Sequence, residues 1–335
     1  MKNLAASFKK TSSEITHPSH TSPLWIMVRK EIAGHIRSWR FIVLLILVVL
    51  TFWGSMYVSM SNIRKVVSNV EDPDRLFLYL KLLTITDGTL PPFHVFLNFL
   101  GPLLGISLGF DAVNSEQQGG TLGRIMAQPV YRDNLLLSKF ISVLILVSVL
   151  FLSLALLMIG GGIILTGVNI EPEEVLRIFS FIVVCVTYVG FWLGLSILLS
   201  VRFRQAATSA LTAISIWLFF TVFYHIVVSL AVKAFIPDSR GLSEGEILYY
   251  NEVILSLLRL APSQLYTDAT TTLLMPSIRS LSPLSMEQMS AAIPSPLPFK
   301  ESLMIVWPQV SGLVAATVVC FALSYYLFMR REIRS

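Results

Sequence analysis

The sequence predicts an all-α polytopic membrane protein with six transmembrane helices. Apolar residues make up 54% of its 335 residues and charged residues only 13%, and its mean hydropathy is +0.72. A soluble domain would carry roughly a quarter charged residues. Runs of about 20 apolar residues, long enough to cross a bilayer as a helix, recur six times. The predicted spans are about 41–61, 93–112, 140–166, 177–201, 208–232 and 303–328.

The distribution of basic residues predicts the orientation of these spans. An even number of spans places both termini on one side of the membrane, and 15 of the 25 Lys and Arg residues lie on that side. Basic residues concentrate in cytoplasmic loops, so both termini are predicted to be cytoplasmic in a multi-pass protein of the cell membrane. We attribute the pI of 9.2 to inside loops that meet anionic membrane lipid, and not to nucleic acid.

Two segments precede the first span. Residues 1–22 lack the apolar core of a signal peptide and are predicted to be a mobile cytoplasmic tail. Residues 23–40 place apolar side chains at helical spacing, with the basic residues off that stripe. This pattern predicts a basic amphipathic helix that lies on the inner membrane surface, or else an ordinary amphipathic helix packed on another domain. The stripe consists of Trp25, Val28, Ile32, Ile36 and Trp39.

Two outside segments are predicted to contain short helices. Residues 72–83 indicate a helix that Asp72 or Asp74 could cap. The largest block outside the spans is 236–302, whose first part, EGEILYYNEVILSLLRL, has a helical pattern and whose later part is rich in Ser and Pro. About 65 residues can form a small helical cap with little core of its own.

Glycines repeat at helical spacing in two spans. Span two places Gly101, Gly105 and Gly109 on one face, and span four contains Gly190 and Gly194. Such faces allow helix backbones to approach closely in lipid. The spacing therefore predicts tight helix packing, either within one subunit or across a dimer.

No energy source for transport is visible in the chain. Nucleotide hydrolysis would need a phosphate-binding G-x-x-x-x-G-K-[ST] loop, and no Gly-Lys pair occurs in the sequence. Ion-coupled carriers usually place acidic residues within their spans, where the one candidate is Asp111 at the mouth of span two. The chain is thus predicted to bind no cofactor of its own.

Neither a catalytic group nor a metal site is predicted. The acidic pair Glu173-Glu174 falls on an expected outer loop, and Cys185 and Cys320 fall inside spans, where packing thiols are the default. A few polar side chains do lie at membrane depth. Each could form an interhelical hydrogen bond or line a translocation route; they are Asn98, Ser107, Thr221 and His225.

A polar cytoplasmic segment, SEQQGGTLGRIMAQPVYRDNLLLSKF (115–140), separates spans two and three. It resembles the cytoplasmic loop of permease subunits of ABC-2 type transporters, where E-x-x-x-G-T-L is followed by P-V-x-R and a lysine. The residues that carry the match are Glu116, Gly120, Thr121, Leu122, Pro129, Arg132 and Lys139. Residues 260–276, LAPSQLYTDATTTLLMP, look like the outside segment before span six in one branch of that family, which includes permeases linked to nitrous-oxide-reductase maturation and gliding motility.

The resemblance implies how the segment works. Residues 115–138 would be a coupling helix that docks on a separate ATP-binding subunit, which binds ATP and Mg²⁺, and Pro129 would end this helix. Leu122, Ile125 and Met126 would form its apolar face; a loop that lies on lipid headgroups is the alternative. The family further implies export by two paired permeases, identical or related, with spans two and five beside the dimer interface and the route.

Two other function classes remain open at this point. An ion-gradient-driven secondary transporter would need no ATPase, and a non-transport membrane scaffold or sensor would bind partners without moving a solute. The substrate is not indicated by any motif in the chain.

Overall fold

The computed structural model describes residues 23–67, 77–86, 88–120, 132–235, 243–277 and 296–330. All regular structure in these ranges is helical, as predicted. The helices are α1 (Pro23–Ile36), α2 (Trp39–Val67), α3 (Leu78–Thr84), α4 (Phe93–Gly109), α5 (Asn114–Gln118), α6 (Arg132–Thr166), α7 (Pro172–Arg202), α8 (Ala206–Leu218), α9 (Tyr224–Phe235), α10 (Glu244–Leu258), α11 (Pro262–Leu274) and α12 (Phe299–Arg330).

Within the described residues, six helical stretches are long and apolar enough to span a membrane, which agrees with the predicted number. The first four are α2, α4 with α5, α6 and α7. The fifth consists of α8 and α9, joined by a π-helical turn at Phe219–Phe223, and the sixth is α12. The third begins at Arg132, before the predicted residue 140, so Lys139 lies inside a continuous helix.

Helix α7 is the centre of the bundle. Of the most apolar window of this span, 67% is buried, against 11% for the α8–α9 span. Helices α4 and α12 pack on α7 from different sides, and α6 and α11 also contact it. Residues Trp192, Leu193 and Ile197 of α7 are fully buried. The many exposed apolar side chains of α8, α9 and α12 suit a lipid or protein environment.

The segment 23–40 forms two helices where one was predicted. Helix α1 ends at Ile36, and Trp39 and Arg40 already belong to α2. Ser38 accounts for the break, because its hydroxyl accepts a hydrogen bond from Phe41 N at 3.3 Å and donates one to His35 O at 2.8 Å. A serine at this position satisfies backbone groups that the start of a helix leaves free.

The later part of the block 236–302 contains a buried helix that the sequence pattern did not predict. Helix α10 confirms the expected helix in the first part of the block. Helix α11 packs against α7 and α12, and Tyr266, Ala269, Leu273 and Leu274 are buried. The residues of α11 are thus part of the core and not of a separate cap.

The acidic pair predicted on an outer loop lies in the first turn of α7. Glu171 and Glu174 form reciprocal hydrogen bonds there that cap the helix, as expected for carboxylates near a helix N-terminus. Glu174 also accepts a hydrogen bond from Tyr79 N at 2.8 Å. The loop prediction was therefore wrong, because Pro172 begins the helix earlier than the apolar run does.

Candidate coupling site

The two residues that precede the segment 115–138 are hydrogen-bonded to α7. The backbone N–H groups of Val113 and Asn114 both donate to Ser200 Oγ, at 3.0 and 3.3 Å. Asn114 is buried and its Nδ2 donates to Phe110 O at 3.3 Å. Because these contacts satisfy backbone donors of α5, the head of the segment cannot shift without a shift in the end of α7.

Helix α5 ends soon after it begins. Gly119 N donates to Ser115 O at 2.9 Å, and Gly120 has φ +65°, a left-handed conformation that glycine adopts easily and that ends helices. One helix from Ser115 to Pro129 was predicted, but α5 already ends at Gln118, just before the glycine pair. Gln118 Nε2 donates to Arg204 O at 2.9 Å, so the turn also contacts the link between α7 and α8.

The middle of the segment lies outside the described residues. Thr121, Leu122, Ile125, Met126 and Pro129 are all within it, so their predicted docking role stays a prediction. The description resumes at Arg132, the first residue of α6.

Lys139 connects three separate parts of the chain. Its Nζ lies 2.8 Å from Glu116 Oε1 of α5 and 3.2 Å from Glu31 Oε2 of α1. The Lys139 side chain is only 7% exposed, and those of the two glutamates are 14% and 15% exposed. We call these three residues the Lys139 cluster. It joins Glu116, at the start of the segment 115–138, to α1 and to span three.

Because the Lys139 cluster is buried, loss of any one of its three charges is expected to be costly. Charges removed from water require partners, and removal of one partner leaves a buried charge uncompensated, which is more costly than loss of an exposed ion pair. Two carboxylates around one ammonium group leave the cluster with a formal charge of −1. The three side chains are therefore expected to keep together whenever any one of their helices moves.

His35 lies one turn after Glu31 on the same side of α1. Burial lowers the pKa of His35 below its usual value, and the Glu31 carboxylate only partly offsets this effect, while the Lys139 charge lowers the pKa further. The imidazole is thus neutral near pH 7 and adds no positive charge beside Lys139.

A second ion pair lies nearby at the start of α2. Arg40 Nη1 is 2.7 Å from Asp111 Oδ2, and the Arg40 guanidinium stands 4.9 Å from the centroid of the Phe110 ring. The Arg40 side chain is 53% exposed, so this pair is expected to contribute little to stability. Its presence gives Asp111, the acid considered for ion coupling, a partner within the chain.

The glycine face of span two packs on α7 of the same chain. A Cβ atom added at Gly105 would lie 2.7 Å from Val189 O and 2.8 Å from Leu193 N, and one at Gly109 would lie 3.1 Å from Leu193 O. At Gly101 the nearest atom would be Tyr188 Cδ1 at 3.2 Å. Close backbone approach therefore occurs within the subunit at this face.

The glycines of span four lie on another side of α7. An added Cβ at Gly190 would be 3.2 Å from Leu144 Cδ2 of α6, and one at Gly194 would be 3.6 Å from Thr317 O of α12. These spacings are ordinary or slightly tight contacts, so Gly194 is a less demanding position than Gly105.

Of the four polar residues considered for a route, Asn98 has polar partners within the bundle. Its Oδ1 accepts a hydrogen bond from the Tyr188 hydroxyl at 3.0 Å, and its Nδ2 donates to Thr267 Oγ1 at 3.3 Å. Tyr188 also stacks on Tyr266 of α11, with ring centroids 4.5 Å apart. Asn98 thus joins α4, α7 and α11, which is the interhelical bonding considered as the alternative to a route.

The other three residues differ from one another in position and burial. Ser107 is half-buried in the last part of α4, and His225 is exposed on α9. Thr221 is half-buried within the π-helical turn, a kind of irregularity frequent at functional sites. Their role in a route stays a prediction.

Comparison with known proteins identifies a family for most of this chain. The model of the family described as "ABC-2 family transporter protein" matches residues 25–333. The chain belongs to the ABC-2 transporter family. It is also similar to two proteins described as probable ABC transporter permease protein NosY. That of Stutzerimonas stutzeri is 27% identical over 239 residues, which cover 70% of this chain and 76% of the relative.

The second NosY protein, from Pseudomonas aeruginosa, aligns over a shorter stretch. It is 30% identical over 178 residues, which are 50% of this chain and 58% of the relative. The alignment thus spans a little over half the length of that protein. The resemblance to ABC-2 proteins stated for residues 115–140 is confirmed by the family match over nearly the whole chain.

Two residues with contacts in this region were not singled out from the sequence. Glu31 is an acidic residue among the basic residues of α1, and Ser200 is one small polar residue in an apolar span. A signal existed for Glu31, since an acid that lies three residues after Val28 falls on the same helix face. No local signal distinguishes Ser200 from other span serines.

Proposed function

We propose that the chain is the permease subunit of an ATP-driven ABC-2 exporter in the cell membrane, with both termini in the cytoplasm. In this proposal a separate subunit binds ATP and Mg²⁺ and docks on the segment 115–138, and two permeases pair. The observation that carries the proposal is the Lys139 cluster, because it joins the head of this segment to two other helices through buried charges.

The contacts of the segment suggest how movement would spread. A pull on 115–138 would reach α6 and α1 through Glu116 and Lys139. It would reach the end of α7 through Ser200, and the α7–α8 link through Gln118. Because Gly105 leaves no space between α4 and α7, these two helices would move as one body. Asn98 at the other end would then shift with both.

The permease proposal is favoured over an ion-driven carrier by one further observation. Asp111, the acid at the mouth of span two, is paired with Arg40 at 2.7 Å, whereas a carboxylate that binds a coupling ion must exchange partners during transport. Solute transport by the purified chain without ATP would contradict the proposal directly.

A pull-down tests the docking step. The tagged chain is purified in detergent beside the variant Glu116→Ala/Leu122→Ala, and ATPase activity is assayed in each eluate. We expect an ATP-binding subunit to purify with the unaltered chain and to be lost from the variant. Glu252→Ala/Leu260→Ala, which alters an exposed acid of α10 and an exposed leucine just after that helix, is the matched control and should retain the subunit.

Two outcomes of the pull-down would count against the proposal. Absence of any ATP-binding subunit from the unaltered chain, in a host that expresses the neighbouring genes, would favour a carrier or a scaffold. Retention of the subunit by the double variant would place docking elsewhere than on 115–138.

A further inference from the structure

Helix α1 presents two chemically different faces. The inward face packs on α6, with Val28 buried and with Glu31 and His35 half-buried beside Lys139. The outward face carries basic and large apolar side chains that are exposed. The two faces therefore make different contacts, one with the bundle and one with whatever lies outside it.

Three basic side chains lie on this outward face. Arg29 and Lys30 of α1 and Arg37 in the turn that follows are all exposed. In the described ranges no carboxylate pairs with any of them. Arg40, only three residues further on, shows the contrast, because it pairs with Asp111.

Large apolar side chains border the basic ones. Trp25 and Ile36 are each 53% exposed, and Trp39 at the start of α2 is 76% exposed. At 3.6 residues per turn, Trp25 and Ile36 point within about 20° of each other, Arg29 lies about 20° beyond Ile36, and Lys30 lies about 100° beyond Arg29. Tryptophan favours the headgroup level of a membrane, and a basic side chain next to it would meet lipid phosphate.

We propose that Arg29, Lys30 and Arg37 form a binding site for the headgroups of anionic phospholipids. The apolar neighbours Trp25 and Ile36 would contact the upper acyl chains of the same lipids. An acidic protein surface would match the charges, but it would leave the exposed Trp25 and Ile36 beside it without an apolar environment. A membrane surface with negative headgroups matches both parts of the face.

Lipid bound to the outward face of α1 would also affect the contacts of the inward face. Glu31 lies on the same helix and pairs with Lys139, so lipid that holds the outward face of α1 also holds Glu31 in position. If the proposed ATP-driven function is correct, anionic lipid would raise the ATPase activity of the assembled transporter. The lipid site itself does not depend on that function.

Native mass spectrometry of the delipidated, isolated full chain tests the site. The chain is titrated with phosphatidylglycerol and, separately, with phosphatidylcholine of identical acyl chains. Each basic residue at an anionic membrane surface strengthens binding about fivefold. We therefore expect the unaltered chain to bind phosphatidylglycerol at least tenfold more tightly, and Arg29→Gln/Lys30→Gln/Arg37→Gln to lose that preference.

Two further variants make the test specific. Lys233→Gln/Lys300→Gln removes two exposed lysines at the opposite end of the bundle and should keep the lipid preference. Arg29→Lys/Arg37→Lys retains the charges and should also keep it, which separates loss of charge from misfolding. An unaltered preference in the triple variant would overturn the proposal. So would loss of an ATP-binding subunit from the triple variant while its lipid preference persists, because the face would then dock a protein.

Discussion

At the scale of single residues, Lys139 is the most demanding position at the α1 end of the bundle. Its ammonium group is buried and lies within 3.2 Å of two carboxylates from different helices. A lysine in such a position is expensive to desolvate and is retained only while its partners stay in place. An arginine would need room for a planar group with five donors, which makes it a poor substitute.

The substitution Lys139→Met should be strongly destabilising. It removes the ammonium group that Glu31 and Glu116 share, and loss of one partner from a buried ion pair costs about 3–5 kcal/mol. Thermal unfolding in detergent should show a clearly lower Tm. The control Arg40→Gln removes an exposed ion pair and should cost less than about 1 kcal/mol.

The triple variant Glu31→Gln/Glu116→Gln/Lys139→Met checks the cause of this effect. It removes all three charges of the Lys139 cluster and should recover much of the stability lost in Lys139→Met, because no glutamate charge is then left beside the missing ammonium group. Equal Tm values for Lys139→Met and Arg40→Gln would show that the cluster contributes no more than a surface pair.

At the scale of helices, the contact between α4 and α7 is governed by backbone proximity. Gly105 approaches the backbone of α7 so closely that a methyl group would meet Val189 O and Leu193 N below 3.0 Å. Backbone atoms of a central helix cannot rotate aside as a side chain can. The Ser196 hydroxyl, which donates to Ile106 O at 3.2 Å, adds a polar contact to the same interface.

Gly105→Ala should therefore separate α4 from α7. We expect a loss of about 1–3 kcal/mol, the usual cost of overpacking a core, measured as a lower Tm in detergent. Gly160→Ala is the matched control, since an added Cβ there meets nothing within 4 Å and alanine favours a helix by about 1 kcal/mol. A Gly105→Ala chain as stable as the control would mean that the two helices yield easily.

The helices differ in how well the sequence predicted them. Length was sufficient to predict the six spans, because long apolar runs have few alternatives in a membrane. Helical periodicity was sufficient to predict α10. They were insufficient for α11, whose threonines give it a polar composition although it is buried. Those hydroxyls bond to the backbone of the same helix, as Thr270 does to Tyr266 O, so their polarity does not report exposure.

For the candidate site, the sequence identified some of the residues but not the contacts between them. The motif identified Glu116 and Lys139 but not that they form an ion pair, since 23 residues separate them and their contact depends on how α5 meets α6. Glu31 is still more distant along the chain. The glycine spacing predicted close packing, but the choice of α7 as the partner of α4 is a property of the assembled bundle.

At the scale of the whole molecule, a buried basic residue holds each end of the bundle. Lys139 does so at the α1 end, and Arg177 of α7, with an exposure of 0%, at the α11 end. Arg177 bonds to Leu273 O and Ser302 Oγ, both at 3.1 Å, and to Glu173 at 2.8 Å. It thereby joins the end of α11, the start of α12 and the start of α7.

Arg177→Met should loosen the α11 end while it leaves the α1 end intact. The substitution leaves Leu273 O and Leu297 O, which both accept hydrogen bonds from Arg177, without that donor, and each unsatisfied buried group costs about 1–3 kcal/mol. Hydrogen exchange should therefore accelerate in α11 and at the start of α12, with little change in α1. Lys300→Met, at an exposed position of α12, is the control and should exchange like the unaltered chain.

Because Lys139 and Arg177 share no bonding partner, Lys139→Met should give the reverse pattern, with faster exchange in α1 and α5. Faster exchange at both ends in either variant would instead mean that the bundle opens as a single cooperative unit.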